Sequence, residues 1–72
     1  MGISVRDNRL WLKVYEWIKG GIFSGALADG TPLSENMLAQ ETGISRTPIR
    51  EALRVLAQDG FVVLVPGKGA FV

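Results

Sequence analysis

Ser45-Arg46-Thr47-Pro48-Ile49-Arg50-Glu51-Ala52-Leu53-Arg54-Val55-Leu56 is the stretch that decides how this chain is read. An α-helix advances about 100° per residue. On that wheel Ile49, Ala52, Leu53 and Leu56 share one arc. Arg46, Arg50 and Arg54 follow one another at i, i+4 and i+8 on a neighbouring arc, with Thr47 beside them. One short helix therefore has an oily side for a core and a basic side for the surface. A helix of this kind can lie in the major groove of duplex DNA, where arginine offers a planar fork to guanine O6 and N7. A basic arc also serves solubility alone, so the flanking elements have to separate the two readings.

Immediately upstream, Leu33-Ser34-Glu35 and Ile44-Ser45 both have the form of a helix start. Ser34 is expected to cap a helix reaching about Thr42, with Leu33 stapled to Leu38 and Glu35 suiting the helix dipole. Gly43 supplies the left-handed exit. Ser45 is expected to cap the next helix. Pro48 has no N–H, so the Ser45 hydroxyl should accept from the Thr47 N–H. The rival start makes Thr47 the N-cap and Pro48 the first helical residue, because a residue before proline avoids helical geometry. A staple between Ile44 and Ile49 favours Ser45. The helix should end near Gln58, before Asp59-Gly60. Two short helices joined by a glycine-containing turn make a helix-turn-helix.

Downstream, Phe61 to Val65 reads as a strand, Pro66-Gly67-Lys68-Gly69 as a turn and Ala70 to Val72 as a return strand. The hairpin carries Lys68 at its tip, within reach of a phosphate or the minor groove, although Gly-Lys-Gly is also an ordinary exposed tip. A first helix is expected from about Asn8 to Lys19, with Leu10, Val14, Trp17 and Ile18 inward and Trp11 and Tyr15 widening the stripe. Gly20-Gly21 should end it. An aromatic stripe at this spacing is core packing rather than a cofactor site. Thr31 to Leu33 is expected to form a very short strand. The fold class is mainly α with a little β: a three-helix bundle plus a β-hairpin wing, the winged helix-turn-helix.

Size and composition agree with one small globular domain. The chain has 72 residues and is 47% hydrophobic, too apolar for a disordered segment. No apolar run approaches the ~20 residues of a membrane span, and no secretory leader is visible. Cysteine and histidine are both absent, which excludes disulfides, thiol nucleophiles and zinc-finger ligand sets. A cysteine-free domain fits the cytoplasm. The net charge is only +1. Residues 45–72 nevertheless hold Arg46, Arg50, Arg54 and Lys68 against Glu51 and Asp59 alone. Gly67-Lys68-Gly69 is not a P-loop, since it lacks the earlier glycine and the hydroxyl residue after lysine. No Gly-x-Ser-x-Gly elbow occurs, and the acids read as solubility and capping groups. No catalytic residue, metal ligand or cofactor is assigned, and no enzyme is expected. Arg54 could reach a phosphate, but a pair with Glu51 or Gln58 on its own helix is preferred.

Several spacings then agree at once. Ser45-Arg46-Thr47-Pro48-Ile49-Arg50-Glu51-Ala52-Leu53, followed by Leu56, Asp59-Gly60 and Gly67-Lys68-Gly69-Ala70-Phe71-Val72, resembles the DNA-binding domain of the GntR family of bacterial transcription regulators. Ile22-Phe23-Ser24-Gly25, Gly30 with Leu33, and Ser34-Glu35 with Leu38-Ala39 resemble the family's upstream pattern. The resemblance implies an operator-reading winged helix joined to a larger C-terminal domain that binds a small metabolite and is absent from this chain. It implies homodimers on palindromic double-stranded operators, with repression as the usual outcome. Ser45, Arg46, Thr47 and Arg50 match the recognition-helix contacts, and Gly67 and Lys68 match the wing tip. Ser34 and Asn36 fall at the start of the helix that braces the DNA backbone. Many relatives have a basic residue in place of Asn36, so contact there should be weaker. Pro48 replaces a hydroxyl found in some relatives, which removes one backbone anchor. The Arg-Thr-Pro form resembles the branch with all-helical effector domains.

The competing reading is a winged helix used as a protein–protein module. Its sign would be an exposed apolar patch at Trp11, Tyr15 or Val55, with the arginines tied up in ion pairs. By itself the domain is expected to be a monomer or a weak dimer with no membrane association. Base reading requires the Arg46 and Arg50 guanidinium groups to be neither buried nor held by the protein's own carboxylates.

Overall fold

In the computed structural model, the backbone is described from Gly2 to Val72 and the side chains from Leu10 onward. The elements run α1 (Gly2–Ser24), β1 (Pro32–Leu33), α2 (Glu35–Thr42), α3 (Arg46–Gln58), β2 (Val63–Val65) and β3 (Gly69–Phe71). The strands form one antiparallel sheet in the order β1-β3-β2. Pro32 and Leu33 pair with Phe71 and Ala70, while Val63, Leu64 and Val65 pair with Phe71, Ala70 and Gly69. This is the expected three-helix bundle with a β-hairpin wing. The side chains of Arg6, Asp7 and Arg9 lie outside the described residues.

The core forms where the apolar arcs meet. Val14, Tyr15 and Ile18 of α1, Leu38 of α2, and Ile49, Ala52, Leu53 and Leu56 of α3 are all buried, with Leu33, Val62 and Ala70. The stripe on α1 is rotated from the expected one. Its inward line is Trp11, Val14, Tyr15, Ile18 and Ile22, whereas Leu10 and Trp17 are 37% and 51% exposed. Tyr15 explains the choice. Its hydroxyl donates to an Asp59 carboxylate oxygen at 2.6 Å, tying α1 to the end of α3, and Trp11 packs edge-on against its ring. That hydrogen bond, with burial, raises the Tyr15 pKa.

α1 also outruns Gly20-Gly21, the expected stop. Each glycine costs a helix about 1 kcal/mol relative to alanine, but the extra turn packs Ile22 on the core and Phe23 edge-on against Phe61. A Cβ on Gly21 would meet Leu27 Cδ1 at 2.8 Å, so the missing side chain admits Leu27. The next strand boundary also moves. Phe61 donates its N–H to the Leu56 carbonyl and Gly60 to that of Ala57. With Gly60 at φ 85°, this is a Schellman closure. Phe61 therefore ends the helix, and the strand begins only at Val63.

The two helix starts differ. Ser34 accepts from the Met37 N–H at 3.3 Å, and α2 leaves through the left-handed Gly43, as expected. Ser45 is the N-cap of α3, so the start at Thr47 is not used. Its hydroxyl makes no capping hydrogen bond, contrary to expectation. Pro48 sits at the third helical position and supplies no N–H for Ser45 to accept. It is buried instead, next to fully buried Ile49, and packing stabilises the start in place of a cap. Ser34→Ala should then lower stability by about 0.5–1 kcal/mol, and Ser45→Ala by less than about 0.5 kcal/mol. Urea denaturation followed by far-UV circular dichroism measures both; equal losses would contradict the difference in capping.

Candidate nucleic-acid interface

A concave groove of about 650 Å³ lies between the start of α2, the outer face of α3 and the wing. Each wall follows from a local rule. α3 buries one arc, so Arg46, Arg50 and Arg54 remain on the exposed one. The wing turns through Val65-Pro66-Gly67-Lys68, with Lys68 N–H donating to the Val65 carbonyl at 2.9 Å. Proline at the second place and Gly67 at φ 77° in the third suit a type II turn. The start of α2 follows β1 directly, and β1 pairs with wing strand β3. Backbone bonds between Gly30 and Val72 and between Val72 and Thr31 extend this seam.

Of the residues singled out in the sequence, Ser34, Asn36, Arg46, Arg50, Gly67 and Lys68 line this groove, and Arg54 joins them. Ser45 and Thr47 are exposed at the start of α3 but do not line it. Four cations thus gather in a chain of net charge +1. No described helix is long and apolar enough to cross a membrane.

The arginines are in three different states. Arg46 is exposed and makes no ion pair among the described residues. Arg54 donates to Glu51 at 2.6 Å, the expected local pair. Arg50 is not free, so of the two guanidinium groups on which base reading was made to depend, Arg46 meets the condition and Arg50 does not. Its Nε donates to Glu35 Oε2 at 3.1 Å and its Nη2 to Oε1 at 3.0 Å. The pair remains on the surface, with the Arg50 side chain 66% exposed. The bidentate hydrogen bond from Arg50 holds the Glu35 carboxyl below the usual glutamate range; burial pushes the other way, and the charges of Arg50 and Arg46 add to the lowering. The same pairing raises the Arg50 pKa. Sequence reasoning assigned Glu35 only to the helix dipole. Its partner is 15 residues away, beyond any within-helix spacing rule, and only the α2–α3 turn brings the two together.

An exposed recognition helix following a short helix and a glycine turn, with a hairpin folded beside it, defines the winged helix-turn-helix class. The model of the family described as "Bacterial regulatory proteins, gntR family" matches residues 10–72. An uncharacterised HTH-type transcriptional regulator of Streptomyces ambofaciens is 46% identical over 67 residues, covering 93% of this chain and 28% of that protein. The gluconate operon transcriptional repressor of Bacillus licheniformis is 54% identical over 43 residues, covering 60% of this chain and 18% of the repressor. Among solved structures, the AraR DNA-binding domain in complex with operator ORR3 superposes with a TM-score of 0.80 at 34% identity, covering 88% of this chain and 77% of that one. The chain belongs to the GntR family. It spans about a quarter of the length of the first two curated relatives it matches.

Glu35 gives this surface a measurable signature. Its folded pKa is depressed, so its contribution to stability is present above the unfolded value. That contribution is lost as pH falls through the folded value. Carboxyl carbon NMR shifts should show Glu35 titrating below an ordinary glutamate, and Arg50→Ala should move it back upward. An unshifted Glu35 in the unaltered chain would mean that the pair does not form in solution.

Proposed function

We propose that this chain reads double-stranded DNA sequence-specifically, as the operator-binding domain of a metabolite-responsive bacterial transcription regulator. The groove that gathers Arg46, Arg50, Arg54 and Lys68 between the start of α3 and the wing carries this reading. Arg46 approaches base edges from the N-terminal part of α3, helped by Ser45, Thr47 and Arg50. Ser34 and Asn36 brace the phosphate backbone from α2, and Gly67 and Lys68 meet an adjacent groove or phosphate. The relative that represses the gluconate operon and the AraR domain held on its operator support this reading. A protein-docking role is less well supported. Arg50 and Arg54 are ion-paired as that role expects, but Tyr15 is buried, and Trp11 and Val55 pack against the core, so the apolar patch it also needs is not present at these residues.

In the proposed full-length protein, a C-terminal effector domain follows this module, holds two copies together and sets them on a palindromic operator in the cytoplasm. The output is repression. One such module covers only about 600–1,000 Å² of its own surface on DNA, so tight binding there comes from bivalency. The chain alone therefore binds weakly and as a monomer. The domain itself uses neither a cofactor nor a catalytic group.

Arg46→Ala should weaken binding to a preferred duplex by about 1–3 kcal/mol while changing affinity for a scrambled duplex far less. Fluorescence anisotropy on both duplexes tests it; an equal loss on the two would contradict base reading. Lys68→Ala should weaken both alike and reduce the slope of log K against log salt by about one. A titration across salt concentration measures that slope, and an unchanged value removes Lys68 from the phosphate contacts.

A further inference from the structure

The Arg50–Glu35 pair is not accounted for by attraction to phosphate. A carboxylate in a basic groove weakens the field that draws DNA in. Nor does a surface pair add much to stability. Its geometry offers another explanation. A guanidinium carries five N–H groups in a plane, one on Nε and two on each Nη. Glu35 accepts from Nε and Nη2, which together form one edge of that plane. The Nη1 group has no hydrogen-bond partner among the described residues. With the second Nη2 proton it forms the end-on fork, whose spacing suits guanine O6 and N7.

Glu35 is itself well anchored. It is the first residue of α2, follows the Ser34 cap, and stands two residues after Leu33, which pairs with Ala70 of the wing sheet. Both partners line the same groove. A solvated arginine loses rotamer freedom when it binds a base. One whose side edge is already clamped loses less, and its fork has a fixed direction.

We propose that Glu35 is a positioning residue for DNA reading: it clamps the Nε/Nη2 edge of Arg50 and directs the Nη1/Nη2 fork at a guanine. The proposal rests on the DNA-reading function proposed above. It differs from two other roles for Glu35. In one, the pair is a latch that DNA must break. In the other, the carboxylate itself accepts from a cytosine N4.

The test begins with a duplex enriched from a random-sequence pool by the wild-type chain. Binding of wild type, Glu35→Gln, Arg50→Ala and the double variant is then measured on that duplex, on copies changed one base pair at a time, and on a scrambled duplex. Removing a negative charge strengthens binding to every duplex, so the readout is the ratio of affinities between the enriched duplex and its single-change copies. Glu35→Gln should lower that ratio about tenfold at one G·C pair and leave it unchanged elsewhere. In the Arg50→Ala background the same substitution should leave every ratio unchanged. Two outcomes sink the clamp alone, with DNA reading intact: a ratio that holds or rises in Glu35→Gln, and a fall that persists without Arg50. A wild-type chain that prefers no duplex over the scrambled one removes DNA reading, and the clamp with it. Thermal unfolding should show all four proteins folded, because neither side chain is buried.

Discussion

The burial of one arc of α3 is the constraint on which the rest of the structure depends. Ile49 and Leu56 are fully buried, with Ala52 and Leu53 beside them, in a cluster shared with Val14 and Ile18 of α1. Each large apolar side chain buried in this way contributes about 1.5–3 kcal/mol. Together they fix the rotation of α3 about its axis. A slip of one residue turns the helix by about 100° and would carry guanidinium groups toward an apolar interior, where an unpaired charge is prohibitively costly. Packing on one side thus determines where Arg46, Arg50 and Arg54 stand on the other. The ends of α3 are held by different means, buried Pro48 at the start and the Schellman closure at Gly60-Phe61.

The three-stranded sheet extends this control to the remaining groove walls. β3 lies between β1 and β2, so one strand touches both the approach to α2 and the far arm of the wing. Ala70 on β3 is buried and opposite Leu33, and Ser34 and Glu35 follow within two residues. The wing tip and the start of α2 are far apart in sequence but share this seam. A two-stranded hairpin alone is marginal in water. Pairing with β1, together with burial of Ala70 and Val62 in the core, gives the wing a defined position relative to α3.

Much of this arrangement could be read from the sequence because its signals are local. Gly43 between two helix starts marked the turn, and Pro66-Gly67 marked the hairpin tip. The errors fall where a distant contact outweighed a local preference. Gly20-Gly21 signals a stop, but Phe61, arriving from the end of α3, packs on Phe23 and draws α1 onward. Trp17 has the hydrophobicity of a core residue, yet the Tyr15–Asp59 hydrogen bond selects a neighbouring arc and leaves it half exposed. Ser45 looks as good a cap as Ser34, but Pro48 removes the usual donor at the third helical position and the Thr47 N–H expected in its place is not used. Six of the eight singled-out site residues meet in one groove: helical spacing placed Arg46 and Arg50 on the exposed arc of α3 and the turn signal placed Lys68 at the wing tip, whereas Ser34, Asn36 and Gly67 came from the family resemblance, and Ser45 and Thr47 fall outside the groove. Glu35 was missed as a site residue because its meaning depends on Arg50, which a different helix supplies.

The chemistry of the groove's cations fits a division of labour. Arg46 and Arg50 stand on a helix whose rotation the core fixes, and a planar fork is useful only when its direction is defined. Lys68 stands at the glycine-flanked tip of the wing, on a long unbranched side chain that no ion pair among the described residues holds. A lysine ammonium is a compact charge that interacts with a phosphate from many directions, so it needs no fixed side-chain direction. Exchanging the two residue types would waste both: a lysine on α3 would lose the two-pronged geometry, and an arginine at the tip would have no fixed plane. In the proposed function, sequence reading belongs to the rigid helix and sequence-independent attraction to the wing. The Arg50–Glu35 pair carries the same logic further, since a second helix constrains a side chain that α3 alone would leave free to rotate.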